Sequence, residues 1–191
     1  MRIKRAVRSR EPKWLNLFDV EVADPAGTDR IWEVVSRREV PKCITGAFER
    51  PDAVVIVPYH VGQGMIVVIR EYRVSLGGDE YGFPAGLVDE GETVEAATRR
   101  ELYEETGLTL TRIIDISPPI YSSAGMSDES VAMVYVECEG VPSADANRGI
   151  EQIEVMLASA AKAGRLCADT SLKFDAKAWL VLKAFARHGR L

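Results

Sequence analysis

Between residues 86 and 108 the chain reads GLVDEGETVEAATRRELYEETGL, and the glutamates of this stretch limit what it can fold into more than any other feature. GETVEAATRRELYEET has the character of a helix. Thr93 suits its N-cap and Gly107 its left-handed stop, while Ala96, Ala97, Leu102 and Tyr103 supply apolar contacts. On such a helix Glu101, Glu104 and Glu105 stand at i, i+3 and i+4 and share a face. Like charges at that spacing repel by roughly 0.2–0.5 kcal/mol per pair. The bland explanation is a solvated acidic face. The chemical one is a set of hard oxygen donors for Mg²⁺ or Mn²⁺, which cancels the repulsion.

The flanks supply strands. WLNLFDVEVADPAG alternates apolar and polar residues up to a turn at Asp24-Pro25-Ala26-Gly27, and RIWEVVSR resumes the alternation, so residues 14–37 read as an antiparallel hairpin. REVPKCITGAFERPD resembles a linker. AVVIVPY and GMIVVIREYRV are buried strands, EYGFPAG is a strand entering a loop, and LTRIIDISPPIYSS, SVAMVYVEC and IEQIEVMLAS are further strands. DTSLKFDAKAWLVLKAFARHG closes the chain as one helix. Strands on both sides of one central helix predict an α/β (α+β) sandwich.

With 191 residues, 47% of them apolar and 28% charged, the chain suits one domain with a real core, or one domain plus a small extension. The net charge of −5 argues against a nucleic-acid polymer as partner. Cys43, Cys138 and Cys167 are widely spaced, which excludes a zinc motif and fits unpaired thiols in a reducing cytoplasm. No run reaches the 18 or so apolar residues of a membrane span. The basic head MRIKRAVRSREPKW has no apolar run behind it and reads as a tail.

Gly86, Glu92, Arg100, Glu101, Leu102, Glu104, Glu105, Gly107 and Leu108 fill every position of G-x5-E-x7-R-E-U-x-E-E-x-G-U, with U apolar. The chain thereby resembles the Nudix hydrolase family. At average residue usage this pattern arises by chance at below about 10⁻⁸ per start position. The resemblance implies a Nudix-type α/β/α sandwich with a mixed sheet, residues 49–191, preceded by an N-terminal hairpin region, residues 1–48. It implies metal ligation by the Ala85 carbonyl, Glu101 and Glu105, with Glu104 a ligand or the support of one. Gly86, Glu92, Arg100 and Gly107 are then structural, Glu92 and Arg100 as an ion pair.

IREYRVSLGGDEYGFPAGLVDEGE is similar to the ADP-ribose pyrophosphatase branch, in which Arg73 would contact the diphosphate. PKWLNLFDVEVADPAGTDRIWEVVSR looks like the N-terminal hairpin of ADP-sugar hydrolases. There Trp14 and Trp32 would stack on the adenine across a homodimer interface, and Arg37 would contact substrate. The same likeness places a catalytic glutamate in NRGIEQIEVM; Glu151 is the choice and Glu154 the rival. One departure stands out. Ser123 and Ala124 occupy the place where the ADP-ribose branch usually carries proline, which leaves the sugar open; Asp128 and Glu129 fall in the same loop, near the terminal ribose or a second metal. The expected reaction is therefore metal-dependent cleavage of a nucleoside diphosphate sugar. ADP-ribose, giving AMP and ribose 5-phosphate, leads. UDP- or GDP-sugars and dinucleoside polyphosphates are the alternatives, and a non-catalytic ADP-ribose sensor is the remote one.

Overall fold

The computed structural model describes residues 2–8, 14–147 and 152–190. The chain divides into two compact units. The first is Met1–Asp52 with Pro118–Val131; the second is Ala53–Ser117 with Ala132–Leu191.

In the first unit, β1 (Arg2–Arg8), β2 (Asn16–Ala23) and β3 (Asp29–Ser36) form an antiparallel sheet in that order. The expected hairpin is β2–β3, with Val20 opposite Trp32. Its turn closes because Asp24 Oδ1 accepts from the amides of Ala26 (3.0 Å) and Thr28 (2.9 Å). Strict alternation along β2 buries Phe18, Val20 and Val22, whereas β3 leaves Ile31 and Trp32 exposed. The basic head is not a tail. Arg2–Arg8 is a strand on β2, where Lys4 pairs with Asp29 and Arg5 with Glu21. A single helical turn, α1 (Lys42–Thr45), follows.

The later segment of this unit reaches β3 from a pairing that belongs to the larger sheet. Ile120–Tyr121 (β9) pairs with the start of β10 (Ser130–Glu139). Between them, the Val35 amide donates to the Met126 carbonyl (2.8 Å), and Val35 bridges Ser127 in parallel.

The second unit contains β4 (Ala53–His60), β5 (Met65–Arg73), β6 (Gly78–Gly82), β7 (Ala85–Leu87), β8 (Thr109–Ile116), most of β10, and β11 (Ile153–Ala158). The strand order is β11-β5-β4-β10-β8, with β6 on β5 and β7 on β4. β4 is buried almost throughout, as a central strand covered on both faces must be. Val54 and Ile56 face a core that holds Ala97 and Leu102 of α2 (Val94–Thr106). On the opposite face Tyr59 meets Phe185 of α4 (Ala176–His188) edge to face. This mixed sheet between helices is the expected sandwich. The closing helix expected within residues 169–189 is α4, and a further helix over residues 160–168 lies before it. α3 (Ala160–Ala168), capped by Ser159, precedes α4, capped by Asp175. The small size of Gly164 in α3 lets it approach Ala186, where an added Cβ would lie 3.7 Å away.

Within α2, Ala97, Thr98, Leu102, Glu105 and Thr106 are buried. Ala96 and Tyr103, expected as apolar contacts, are exposed, because the inward stripe runs through 98, 102 and 105. Leu102 is fully buried. Leu102→Ala should therefore destabilise the chain by about 2–5 kcal/mol in urea unfolding.

Candidate active site

Helix α2 begins where Thr93 Oγ1 accepts from the Ala96 amide (3.1 Å) and ends at Gly107, whose φ of 66° is left-handed. Gly107 is doubly constrained, since an added Cβ would lie 2.9 Å from the Ser143 carbonyl oxygen. These two ends set the rotation of the helix about its axis, and hence where its glutamates fall.

Glu105 lies on the buried side. Its Oε2 accepts from the Ala85 amide at 3.1 Å, which anchors an otherwise costly carboxylate against β7. Glu101 lies over the next residue of the strand. A Cβ on Gly86 would fall 1.9 Å from Glu101 Oε1 and 2.0 Å from its carboxyl carbon, so only glycine admits this carboxylate. β7 is itself fixed by pairing Ala85 with Val55 and Gly86 with Val54 on β4.

Arg100 binds the loop to the helix. Its Nε and Nη2 form a fork on Glu92 (3.0 and 2.9 Å), and Nη2 also donates to the Leu87 carbonyl (3.0 Å). Nη1 reaches Glu101 Oε1 at 2.5 Å. Glu92 Oε2 in turn accepts from the Asp89 amide, closing the loop before the helix. The bond to Glu92, reinforced by Glu101, holds the Arg100 guanidinium above its ordinary value.

The three helix glutamates thus have separate surroundings. Glu104 is half exposed, 3.6 Å from Arg100 Nη1. Among the described residues no group of three or more His, Cys, Asp or Glu side chains is gathered closely enough to hold a metal. The donor chemistry nevertheless fits a hard divalent cation: two carboxylates bear on consecutive residues of one strand, and every candidate donor is oxygen.

Other expected site residues fall as follows. Arg73 ends β5 with Nη2 2.8 Å from the buried Glu71 and Nε 3.5 Å from Glu80. Neither carboxylate was anticipated as its partner, although Glu71 stands in the same E-x-R triplet. Glu154 is exposed and paired with Arg70 across β5 and β11 (2.6 Å). Glu151 lies outside the described residues. In the first unit, Trp14 and Trp32 are exposed. Trp32 donates its indole N–H to the Gly125 carbonyl (3.2 Å), and Arg37 Nε donates to Glu129 Oε1 (2.5 Å). Asp128 accepts from the Lys42 amide (2.8 Å). The cysteines are free, and burial pushes the Cys138 thiol up to about 12, far from a reactive thiolate.

Comparison with known proteins agrees with this geometry. The NUDIX domain family matches residues 49–174. The ADP-sugar pyrophosphatase of Mus musculus is 31% identical over 133 residues, 68% of this chain and 58% of that protein. A putative nudix hydrolase 2 of Caenorhabditis elegans is 31% identical over 152 residues, 76% of this chain and 66% of that one. The ADP-ribose pyrophosphatase of Bacillus subtilis is 30% identical over 154 residues, 78% and 75% of the two chains. The chain thus spans less than two thirds of the mouse and nematode relatives it matches. The crystal structure of an ADP compounds hydrolase superposes with a TM-score of 0.74 at 22% identity, over 99% of this chain and 96% of that one. A complete glutamate box on a capped helix, the sandwich around it and a family match over residues 49–174 agree, and the chain belongs to the Nudix family.

Proposed function

We propose that the chain is a hydrolase of the diphosphate bond in a nucleoside diphosphate sugar, with ADP-ribose, split to AMP and ribose 5-phosphate, as its leading substrate. The observation that carries this reading is the placement of the Glu101 and Glu105 carboxylates on β7, at Gly86 and Ala85. Names of relatives support the substrate class: an ADP-sugar pyrophosphatase in the mouse and an ADP-ribose pyrophosphatase in Bacillus subtilis.

Glu101, Glu105 and the Ala85 carbonyl would hold Mg²⁺, or Mn²⁺ in its place, with Glu104 as a ligand or its support. A bound divalent cation supplies charge neutralisation at the phosphates and a lowered pKa for attacking water. The chain's own residues do the rest. Arg100 and Glu92 hold the loop and orient Glu101. Glu151 takes the proton of the attacking water. Arg73 presents a guanidinium to the diphosphate, tempered by Glu71 and Glu80. Trp14 and Trp32 offer faces to the adenine, Arg37 is a further basic contact to the substrate, and Glu129 lies towards its terminal ribose.

Residues 1–48 serve base binding and homodimer formation, and residues 49–191 serve catalysis. Exposed Trp14, Leu15, Ile31 and Trp32 support an apolar interface. Among the described residues no helix is long and apolar enough to cross a membrane; the reading places the enzyme in the cytoplasm. A second reading, cleavage of a UDP- or GDP-sugar or a dinucleoside polyphosphate, is favoured by Ser123 and Ala124 in place of the proline of the ADP-ribose branch.

The test is a substrate panel of ADP-ribose, ADP-glucose, UDP-glucose, GDP-mannose and diadenosine polyphosphate with Mg²⁺, repeated after chelation. The expected outcome is preferential release of AMP from ADP-ribose, abolished by chelator and restored by added Mg²⁺. Equal turnover across the panel, or turnover indifferent to chelation, would reject the reading.

A further inference from the structure

Lys42 is fully buried although it stands on a single helical turn whose later residues, Ile44 and Thr45, are exposed. Its Nζ donates to Asp52 Oδ2 (2.5 Å) and Ser130 Oγ (2.7 Å) and lies 6.0 Å from the centre of the Tyr121 ring. Asp52 is fully engaged in turn. Oδ1 accepts from Arg38 Nη2 (2.9 Å), and Oδ2 accepts from the Ser130 amide (2.8 Å) and hydroxyl (3.2 Å). The Asp52 amide returns a bond to the Ser130 carbonyl (2.8 Å). Burial alone would raise the Asp52 carboxyl, but Lys42, the Ser130 amide and Arg38 outweigh it and hold the group below its ordinary value.

These contacts converge on one place, the Tyr121–Ser130 pair that forms the two ends of segment 122–129. From this base the segment reaches β3. Met126 accepts from the Val35 amide, Gly125 from the Trp32 indole, and Glu129 from Arg37 Nε. That bond to Glu129 engages Nε, so Glu129 holds Arg37 without occupying the Nη fork suited to an anion. A buried ion pair is a poor source of stability, because desolvation offsets most of its attraction. A positional role accounts better for Lys42 and Asp52.

We infer that Lys42 and Asp52 are positioning residues that fix the base of segment 122–129, so that Glu129 orients Arg37 for an anionic group of the substrate. The inference rests on the proposed nucleoside diphosphate sugar reading for the identity of that anion, a phosphate of the diphosphate. The positional part stands without it.

The experiment uses the full chain carrying Lys42→Met, and, should the single variant fail to fold, Lys42→Met with Asp52→Asn, which removes both charges of the Lys42–Asp52 pair while an amide oxygen still accepts from Arg38. Two readouts are taken: amide exchange at Val35 with the Trp32 indole N–H signal, and steady-state kinetics on ADP-ribose with Mg²⁺. Expected for the folded double variant is exchange at Val35 faster by about tenfold and a shifted indole signal. KM should rise about tenfold, the loss of one charge-assisted bond, while kcat stays within about twofold. Wild-type exchange at Val35 would overturn the inference. So would faster exchange throughout β1–β3 with a matching fall in kcat, which would mark Lys42 and Asp52 as stabilising residues only. So would faster Val35 exchange with KM unchanged. If the wild-type chain cleaves no nucleoside diphosphate sugar, the proposed function fails, and the exchange arm still decides the positional claim.

Discussion

Glu105→Gln is expected to lower kcat on ADP-ribose by about a thousandfold while leaving the thermal midpoint unchanged or slightly raised. The two effects separate because of where Glu105 sits. It is buried on the inward side of α2, where its Oε2 accepts from the Ala85 amide. Glutamine has the same shape, and its carbonyl oxygen still accepts that N–H, so β7 and α2 keep their mutual position. What disappears is a negative charge held in a poorly solvated place, and removing such a charge relieves desolvation instead of costing stability. The chemistry loses what the fold does not need, an anionic oxygen for a hard cation. Calorimetry and steady-state kinetics on one preparation check both halves. A variant that melts early would mean that Glu105 is structural, and one that turns over normally would remove it from the site.

Gly86→Ala is expected to lower kcat by about a hundredfold with little change in fold. The new Cβ would fall within 2.5 Å of three atoms of the Glu101 carboxylate, its three nearest neighbours. The carboxylate is the far end of a flexible side chain, so it moves and the backbone does not. Arg100 loses its 2.5 Å contact to Glu101 but keeps its fork on Glu92. A displacement of about 1 Å at a reacting centre suffices for that loss. Combining the change with Glu101→Ala separates steric from chemical origin: if Gly86 acts only through Glu101, the double variant is no slower than Glu101→Ala alone.

What the chain discloses before folding depends on how local each cause is. Thr93, Gly107 and the three glutamates lie within 15 residues, and their spacing alone specifies a capped helix with one acidic face. β4 and β5 announce themselves by unbroken apolar runs. Elements that depend on distant partners are silent. The Arg2–Arg8 strand is polar, and its charges make sense only beside Glu21 and Asp29. Helix α3 is only nine residues long, and the side chain it buries is the small Ala163, which does not mark a core element. Nothing around Lys42 says that a lysine is to be buried, because its partners arrive from 10 and 88 residues away. Arg73 was visible as a cation, but its tempering by Glu80 appears only once β6 folds onto β5.

The backbone passes from one unit to the other three times, after Asp52, Ser117 and Val131. A fragment begun at Ala53 would carry Ser130 away from the ammonium and carboxylate that hold it, and a fragment ended at Asp52 would keep those charges in an apolar setting with Ser130 gone. Neither half can be excised, transplanted or swapped between homologues by a single cut. A transfer of the first unit to another scaffold would need residues 118–131 to travel with residues 1–52.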